Sequence, residues 1–524
     1  MTAVQPGLPA HLTGLLRLPG TSRFAEGGNA VTVHVSPGQL QTAVGHLASG
    51  GARLADMFAD GSDPVTVRLV WALDTEQRFL ITETAIDDGT YPALSDIAPA
   101  AFLEECEMYE QFGIRPAGGK PLNRVAVPPH MAGDVPGAPG DDQARLAIPR
   151  LGQPPAGEAA EVRAPHTVGG HAFEFPFGPV RQTGMESLYY GLVTSGEEVV
   201  DLYLFTWHKH RGLEWRLRGR TPAEALFYAE RTEGLSAIAV SWSFAAAVEA
   251  ALGVSPSPHA ELTRGVALEL ERLYNHAAAI AALCQSTGLS VGQSAAEIAL
   301  ERLLRLNAEV FGHRYLFGVM AAGGVRRAPD AAALRAGLPG AYGELRRAAD
   351  ALLATNSFMD RLEATGILTG EQARRLGLVG PVARAAGVGI DTRADHPAAP
   401  YTAHRPAVAV RDSGDVLGRF QVMLDEAADS VRLIAGFLDA GPGAGTAPLP
   451  VTSGCGLGWA ESPRGEALAW VRLDATGRII RARLRPASVR NWRGFDDAAR
   501  SQNVFTDIPI IEASFWLTVA GTAR

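Results

Sequence analysis

The chain has few cysteines, no excess of positive charge and no long apolar run. Its three cysteines, Cys106, Cys284 and Cys455, lie far apart in 524 residues, which excludes a disulfide framework or a Cys-x-x-Cys metal site built from neighbouring residues. The N-terminal residues lack a basic start followed by an apolar stretch, so we expect no signal peptide. Residues 235–254 are the most apolar stretch, but they include Glu249 and many small side chains, which favours a buried helix over a membrane span.

The net charge and the absence of a phosphate-binding loop argue against two classes of ligand, nucleic acids and NADH. A net charge of −9 and a pI near 5.8 argue against nucleic acid, because affinity for phosphates needs clustered Lys and Arg. No Gly-rich phosphate loop lies between a predicted strand and a predicted helix, so NADH is not expected to bind this chain. The composition, with 47% hydrophobic and 20% charged residues, is typical of a cytosolic globular protein.

The pattern along the chain predicts an α+β protein with two domains. Residues 1–125 alternate strand-like runs (31–35, 65–70 and 79–82) with a helical stretch at 40–57, which predicts a small α/β domain. Residues 126–165 are rich in Pro, Gly and Ala and are predicted to be a linker. Residues 166–524 are predicted to form a large, mainly helical domain with flanking β segments.

Helical spacing is clearest within residues 262–287, where Glu269 and Arg272 lie three apart and can pair on one face. Further helices are predicted at 294–311, 331–364 and 418–438, and strands at 173–206, 468–473 and 478–484. A dense set of polar residues follows the predicted helix at 331–364, and we interpret it as a mainly structural network: Arg384, Asp391, Arg393, Asp395 and His396.

A series of motifs in a constant order resembles one family. Residues 91–114 resemble the end of the C-type subunit of complex I, and His210-Arg-Gly-Leu-Glu214 resembles an element near the start of its D-type subunit. Further blocks with that family's spacing are Leu268 to His276, Gly323-Gly-Val-Arg-Arg327, Asp391-Thr-Arg-Ala-Asp-His-Pro397 and Glu461-Ser-Pro-Arg-Gly-Glu466. The chain is similar to the fused large subunits of membrane-bound [NiFe] hydrogenases of the formate hydrogenlyase and hydrogenase-4 type.

The positions that the resemblance assigns to nickel ligands hold other residues. In the hydrogenases, four cysteine thiolates hold nickel and iron, and soft sulfur ligands suit these metals. Here the corresponding positions are Glu233, Ser236, Thr518 and Gly521. The resemblance therefore implies that this chain binds no metal and has no hydrogenase activity.

Quinone reduction is the other activity that the resemblance suggests, but its residues are also replaced. Where the complex I protein has two His residues, this chain has Arg181 and Met185, and the position of its tyrosine is Gly234. Complex I has an acidic residue at the first cysteine position, as Glu233 is here. The resemblance implies a peripheral subunit on the cytoplasmic face of the membrane, with no cofactor of its own, next to an iron-sulfur small subunit and membrane subunits. Two hypotheses stay open: electron transfer to a quinone-like acceptor, or a structural and coupling role without redox chemistry.

Three residues are the candidates for chemistry in the cavity: Glu233, His210 and Arg181. Glu233 could relay protons, or it could form an ion pair with Arg231 or Arg181. His210, within the His-Arg-Gly-x-Glu element, could contact a proton path or quinone, or belong to a loop held by Arg211. His276 is predicted to be a packing residue, and the pair Arg326 and Arg327 could contact the iron-sulfur partner or cap a helix.

Overall fold

The computed structural model describes residues 14–15, 18, 21–27, 30–61, 64–120, 122, 172–181, 186–206, 208–500 and 502–524. The predicted linker, residues 126–165, and Met185 lie outside the described residues. The strands are β1 Thr21–Gly27, β2 Ala30–Val35, β3 Arg53–Ala59, β4 Val65–Leu73, β5 Arg78–Ile86, β6 Thr90–Pro92, β7 Arg115–Ala117, β8 Phe173–Phe177, β9 Tyr189–Ser195, β10 Glu198–Phe205, β11 Met320–Ala321, β12 Gly324–Val325, β13 Gly445–Thr446, β14 Gly454–Ser462, β15 Gly465–Leu473 and β16 Ile479–Arg485. The α-helices are α1 Leu40–Ser49, α2 Phe102–Phe112, α3 Leu213–Arg216, α4 Pro222–Ala229, α5 Ala237–Leu252, α6 Pro258–Ser286, α7 Ser290–Phe311, α8 Ala331–Leu353, α9 Asn356–Leu362, α10 Gly370–Leu376, α11 Gly380–Ala385, α12 Thr392–Asp395, α13 Ala399–Ala403, α14 Val416–Asp439, α15 Ala487–Ala499 and α16 Ile508–Phe515.

The N-terminal domain is a five-stranded sheet in the order β1-β2-β5-β4-β3, in which β2 and β5 are parallel and the other neighbours antiparallel. The predicted helix at 40–57 is wrong in its second half. α1 ends at Ser49, Gly51 has a φ of +89°, and Arg53–Ala59 is strand β3. A left-handed backbone favours glycine and stops a helix, whereas the apolar run after it fits either element.

The two domains pack sheet against sheet. Phe58, Val70 and Phe79 of the N-terminal sheet share a buried cluster with Leu457 and Trp470 from β14 and β15. β14, β15 and β16 form an antiparallel sheet, so the predicted strands are confirmed: β15 begins three residues before the predicted 468–473, and β16 is shifted by one residue from the predicted 478–484. The second domain therefore contributes part of the hydrophobic core that covers the first.

β14 lies directly under α5 because alternate residues of the strand are glycine. A Cβ built on Gly454, Gly456 or Gly458 would overlap the backbone carbonyl oxygen of Ala251, Ala247 or Ser243, respectively. Those three helix residues are four apart and face one side of α5. The small-residue pattern in residues 235–254 thus serves close packing, and the expectation of a buried helix there is confirmed.

The rest of the second domain is mainly helical and is centred on α6, which packs against α7, α14 and α16. The predicted helix at 331–364 is two helices, since α8 ends at Leu353 and α9 begins at Asn356. Among the described residues, no helix combines the length and apolarity needed to cross a bilayer.

Candidate functional site

A cavity of about 280 Å³ lies between the loop after α4, the hairpin joining β14 and β15, and the C-terminal segment after α16. Its lining consists of Arg181, Glu186, Gly234, Leu235, Arg464, Trp492, Glu512, Trp516, Leu517, Thr518, Val519 and Ala520. Of the predicted site residues, Arg181 and Thr518 belong to this lining, whereas Glu233 and His210 do not. The loop and the C-terminal segment are 285 residues apart at Glu233 and Thr518, so only the fold brings them together.

The four positions assigned to nickel ligands converge beside this cavity. The Thr518 hydroxyl donates a hydrogen bond of 2.5 Å to Glu233 Oε1. A Cβ on Gly521 would overlap Glu233 Oε1 and lie 3.1 Å from Thr518 Oγ1. Ser236 Oγ accepts a hydrogen bond of 2.7 Å from Arg464 Nη1. The glycine at 521 thus leaves the space in which the Glu233 carboxylate lies.

Glu233 is 1% exposed, and its Oε2 forms no hydrogen bond with any described residue. The expected ion pair with Arg231 or Arg181 is wrong. Arg231 pairs with its neighbour Glu230, its side chain is 40% exposed, and it does not line the cavity. Arg181 instead donates from Nη1 to both carboxylate oxygens of Glu512, at 2.9 and 2.8 Å.

Arg211 holds the loop that carries Glu233 against the C-terminal segment. Its Nη2 donates to the carbonyl oxygens of Thr232, at 2.6 Å, and Ala520, and so ties the loop to the C-terminal segment. Burial lowers the pKa of Arg211, and the charges of Glu186 and Glu233 partly offset that effect. The interpretation of the His-Arg-Gly-x-Glu element as a loop held by Arg211 therefore agrees with these bonds. His210 precedes Arg211 and is half-buried.

Two residues of the site were not predicted. Arg464 donates from Nη1 to Ser236 and from Nε to the carbonyl oxygen of Trp516, and it is 2% exposed. Its place in the Pro-Arg-Gly-Glu motif was a signal, although nothing in the sequence gave its partners. Glu186 accepts hydrogen bonds from the amides of Val519 and Ala520, at 2.5 and 2.7 Å, and no sequence signal marks it.

A buried polar network extends from α6 and includes Arg384 and other residues that follow the predicted helix at 331–364, as expected. Arg384 donates to Glu426 at 2.7 Å and to Glu461 at 2.9 Å, and His276 lies 3.0 Å from Glu426. Burial alone would raise the pKa of Glu426, but the Arg384 guanidinium and His276 outweigh it and hold that pKa well below its usual range. Glu269 and Arg272 pair at 3.2 Å, as predicted. His276 is thus a packing residue with a carboxylate partner.

Glu271 lies between this network and the cavity. Its carboxylate accepts hydrogen bonds from the amides of Ile238 and Ala239, at 2.7 and 3.0 Å, in the first turn of α5. Burial raises its pKa to about 8, although these amides, Arg464 and Arg272 all act to lower it. Near neutral pH the group therefore exists in both protonation states.

A second network joins the two domains. Asp56 pairs with Arg483 at 2.9 Å, Arg53 with Glu466 at 2.8 Å, and Glu107 with Arg524 at 2.9 Å. His396 Nε2 lies 2.9 Å from Asp74. Separately, Arg327 donates to the carbonyl oxygen of Phe311 at the end of α7, which agrees with the helix-cap interpretation of that pair.

The donors at the four converging positions do not fit a nickel-iron centre. They comprise one carboxylate, two hydroxyl groups and a glycine without a side chain, and none supplies the thiolate that these metals require. Cys106 and Cys284 are buried elsewhere, and Cys455 is exposed on β14. In the described part of the chain, no cluster of three or more His, Cys, Asp or Glu side chains has a metal-binding arrangement.

Two family models match separate parts of the chain. Residues 33–139 match the family model of the 30 kDa subunit of the respiratory-chain NADH dehydrogenase, and residues 298–452 match that of its 49 kDa subunit. A D-type subunit of the NADH-quinone oxidoreductase of Salinispora arenicola is 30% identical over 339 residues, which are 60% of this chain and 84% of that protein. This chain belongs to the complex I and membrane-bound hydrogenase family, as a fusion of its 30 kDa and 49 kDa subunits.

Relatives with hydrogenase names match over more of the chain. Formate hydrogenlyase subunit 5 of Escherichia coli K12 is 28% identical over 81% of this chain and 75% of that protein, and hydrogenase-4 component G of the same organism is 27% identical over 84% and 77%. A protein in the structure of the membrane-bound sulfane sulfur reductase, an archaeal respiratory complex, shares the fold with a TM-score of 0.63 and 23% identity, over 68% of this chain and all of that one. As a member of the family, this chain is a peripheral-arm subunit of a complex I-related membrane oxidoreductase or hydrogenase.

Proposed function

We propose that this chain is the large peripheral-arm subunit of a complex I-related membrane oxidoreductase and that its cavity works without a nickel-iron centre. The observation that carries this proposal is the position of the Glu233 carboxylate. It lies between Thr518 and Gly521, in space that a side chain at 521 would occupy. A carboxylate and two hydroxyl groups are hard oxygen donors, which are poor substitutes for thiolates at nickel.

In the same proposal, the cavity receives the headgroup of a quinone-like acceptor. Its volume of about 280 Å³ suits a single ring, and Trp492 and Trp516 offer flat apolar walls. Arg464 uses its Nε and Nη1 for hydrogen bonds within the described part of the chain, so Nη2 is available to donate to a quinone carbonyl oxygen. Electrons would come from an iron-sulfur cluster in a partner subunit.

Glu233 and Thr518 would supply protons in this reaction. Thr518 lines the cavity and is hydrogen-bonded to Glu233. When the Glu233 carboxyl group is protonated it can donate this bond instead, and the Thr518 hydroxyl can then turn to the cavity, pass its own proton to a reduced acceptor and take the proton of Glu233 in exchange. Glu233→Gln and Thr518→Val are both expected to lower kcat for a short-chain quinone by about tenfold or more in the purified complex. Glu297→Gln, on the exposed face of α7, is the matched surface control and should leave the rate unchanged. An unchanged kcat in Glu233→Gln would exclude the proton role.

The second candidate is a coupling subunit without redox chemistry. Its support is the buried set of ion pairs that joins the domains, such as Asp56 with Arg483 and Arg53 with Glu466, since two rigidly joined domains can transmit movement between partners. The wild-type complex separates the two candidates. Quinone-dependent turnover supports the first, whereas full assembly without turnover supports the second.

The partners proposed for either candidate are an iron-sulfur small subunit and membrane subunits, on the cytoplasmic face of the membrane. NADH would bind another subunit, and nucleic acid is no partner. Affinity purification of the tagged chain from solubilised membranes tests this assembly. Recovery with an iron-sulfur protein and integral membrane proteins is expected, and recovery of the chain alone from the soluble fraction would contradict it.

A further inference from the structure

A second, much smaller cavity lies where α12 and α13 approach β14. Its volume is about 10 Å³, close to the space that one water molecule needs. The residues that line it are Trp242, Leu268, Thr392, Arg393, His396, Ala398, Tyr401, Trp459, Ala460 and Glu461. Most of these side chains are apolar or aromatic, and the polar ones include Thr392, His396 and Glu461. None of the hypotheses about the larger cavity uses these groups.

Two polar atoms in this lining are buried without a hydrogen bond to any described residue. They are Thr392 Oγ1 and His396 Nδ1, and each residue is only 2% exposed. The other ring nitrogen of His396, Nε2, is engaged by Asp74 at 2.9 Å. Leaving two such atoms unbonded would cost free energy, and both residues line the same cavity.

We infer that this cavity binds one water molecule, which hydrogen-bonds Thr392 Oγ1, His396 Nδ1 and the carboxyl group of Glu461. Three polar partners are the usual number for a buried water. The Thr392 amide already donates to Glu461 Oε2 at 3.2 Å, so these groups are adjacent along the cavity wall. The stacking of His396 on Phe79, with ring centroids 4.1 Å apart, holds the imidazole in place.

The bound water would connect two networks that are otherwise separate at this point. On one side is the pair of Asp74 and His396, which joins the N-terminal domain to the second domain. On the other side, Glu461 is bonded to Arg384. Burial and the nearby Asp391 raise the pKa of Glu461 to about 7, against the opposing charges of Arg384 and Arg272. Water can donate to the carboxylate or accept from the protonated acid, so the connection is kept in both states.

A crystal structure of the full chain that shows ordered water is the direct test. The expected result is a solvent peak within about 2.7–3.2 Å of both Thr392 Oγ1 and His396 Nδ1. A well-defined cavity without a peak would overturn the inference. So would a His396 ring whose Nδ1 is bonded to a protein group instead.

The thermal stability of the purified full chain is an independent test, because a bound water and a dry cavity predict Tm changes of opposite sign. Thr392→Val keeps the shape and removes the hydroxyl. With water bound, we expect the Tm to fall by about 2 °C, because the water loses a partner; in a dry cavity the Tm should rise, because an unbonded buried hydroxyl is removed.

His396→Gln provides the matched second variant. The glutamine amide can take the place of Nε2 beside Asp74, while the Nδ1 acceptor is lost. If one water joins both side chains, adding Thr392→Val to His396→Gln should no longer lower the Tm, because the water that Thr392 would bind is already lost. Additive effects of the two substitutions would overturn the inference.

Discussion

Glycine at position 521 is needed because Glu233 occupies the adjacent space. A Cβ there would overlap Glu233 Oε1 and lie 3.1 Å from both Glu233 Cδ and Thr518 Oγ1. Glu233 is 1% exposed, and the hydrogen bond from Thr518 restrains its Oε1. We therefore expect Gly521→Ala to destabilise the chain by about 1–3 kcal/mol, the usual cost of overpacking a buried site.

A double-mutant cycle isolates this contact. In a Glu233→Ala background the overlap is gone, so Gly521→Ala should be nearly neutral there, and the coupling should be about 1 kcal/mol or more. Gly234→Ala is the matched control, since a Cβ at 234 meets no atom within 4 Å. Thermal unfolding of the four chains is the assay. Additive effects of Gly521→Ala and Glu233→Ala would refute the claim that the carboxylate fills this space.

Three further predictions concern the contact between β14 and α5, a buried ion pair between the domains, and the end of α7. Gly456→Ala should cost about 3 kcal/mol in unfolding free energy, because its Cβ would overlap the backbone of α5; a near-neutral effect in chemical denaturation would contradict the close approach. The guanidinium groups of Arg53 and Arg485 outweigh the effect of burial and lower the pKa of Glu466 to about 2. The ionised Glu466 therefore stabilises the folded chain fully above pH about 4.3, and this stabilisation is lost as the pH falls towards 2. The Tm of Glu466→Gln should accordingly depend less on pH in that range, and an identical profile would show that the pair contributes nothing. Arg327→Ala should cost about 1 kcal/mol by removing the bond to Phe311 at the end of α7, as seen in faster local amide exchange there.

Much of the fold could be predicted because it follows from local patterns. The spacing around Glu269 and Arg272 indicated α6, and the small residues and Glu249 within 235–254 indicated that α5 is a buried helix. The helix predicted at 40–57 was wrong beyond Ser49, because the apolar run after the two glycines is compatible with a strand as well as with a helix.

The sequence predicted which positions form the candidate site but not which side chains interact there. The resemblance identified Glu233, Ser236, Thr518 and Gly521, and the structure brings these four together. The sequence did not reveal their partners, because Arg464 reaches Ser236 from 228 residues away and such pairings depend on the whole fold. For the same reason, the expected ion pairs of Glu233 were wrong.

Metal analysis of the purified chain, with hydrogen uptake assayed on the same sample, tests the central claim most directly. We predict that neither stoichiometric nickel nor hydrogen uptake will be found, because the converging positions supply oxygen donors in place of thiolates. Nickel at one equivalent together with hydrogen uptake would contradict the account, and would mean that the ligand positions lie elsewhere in the chain.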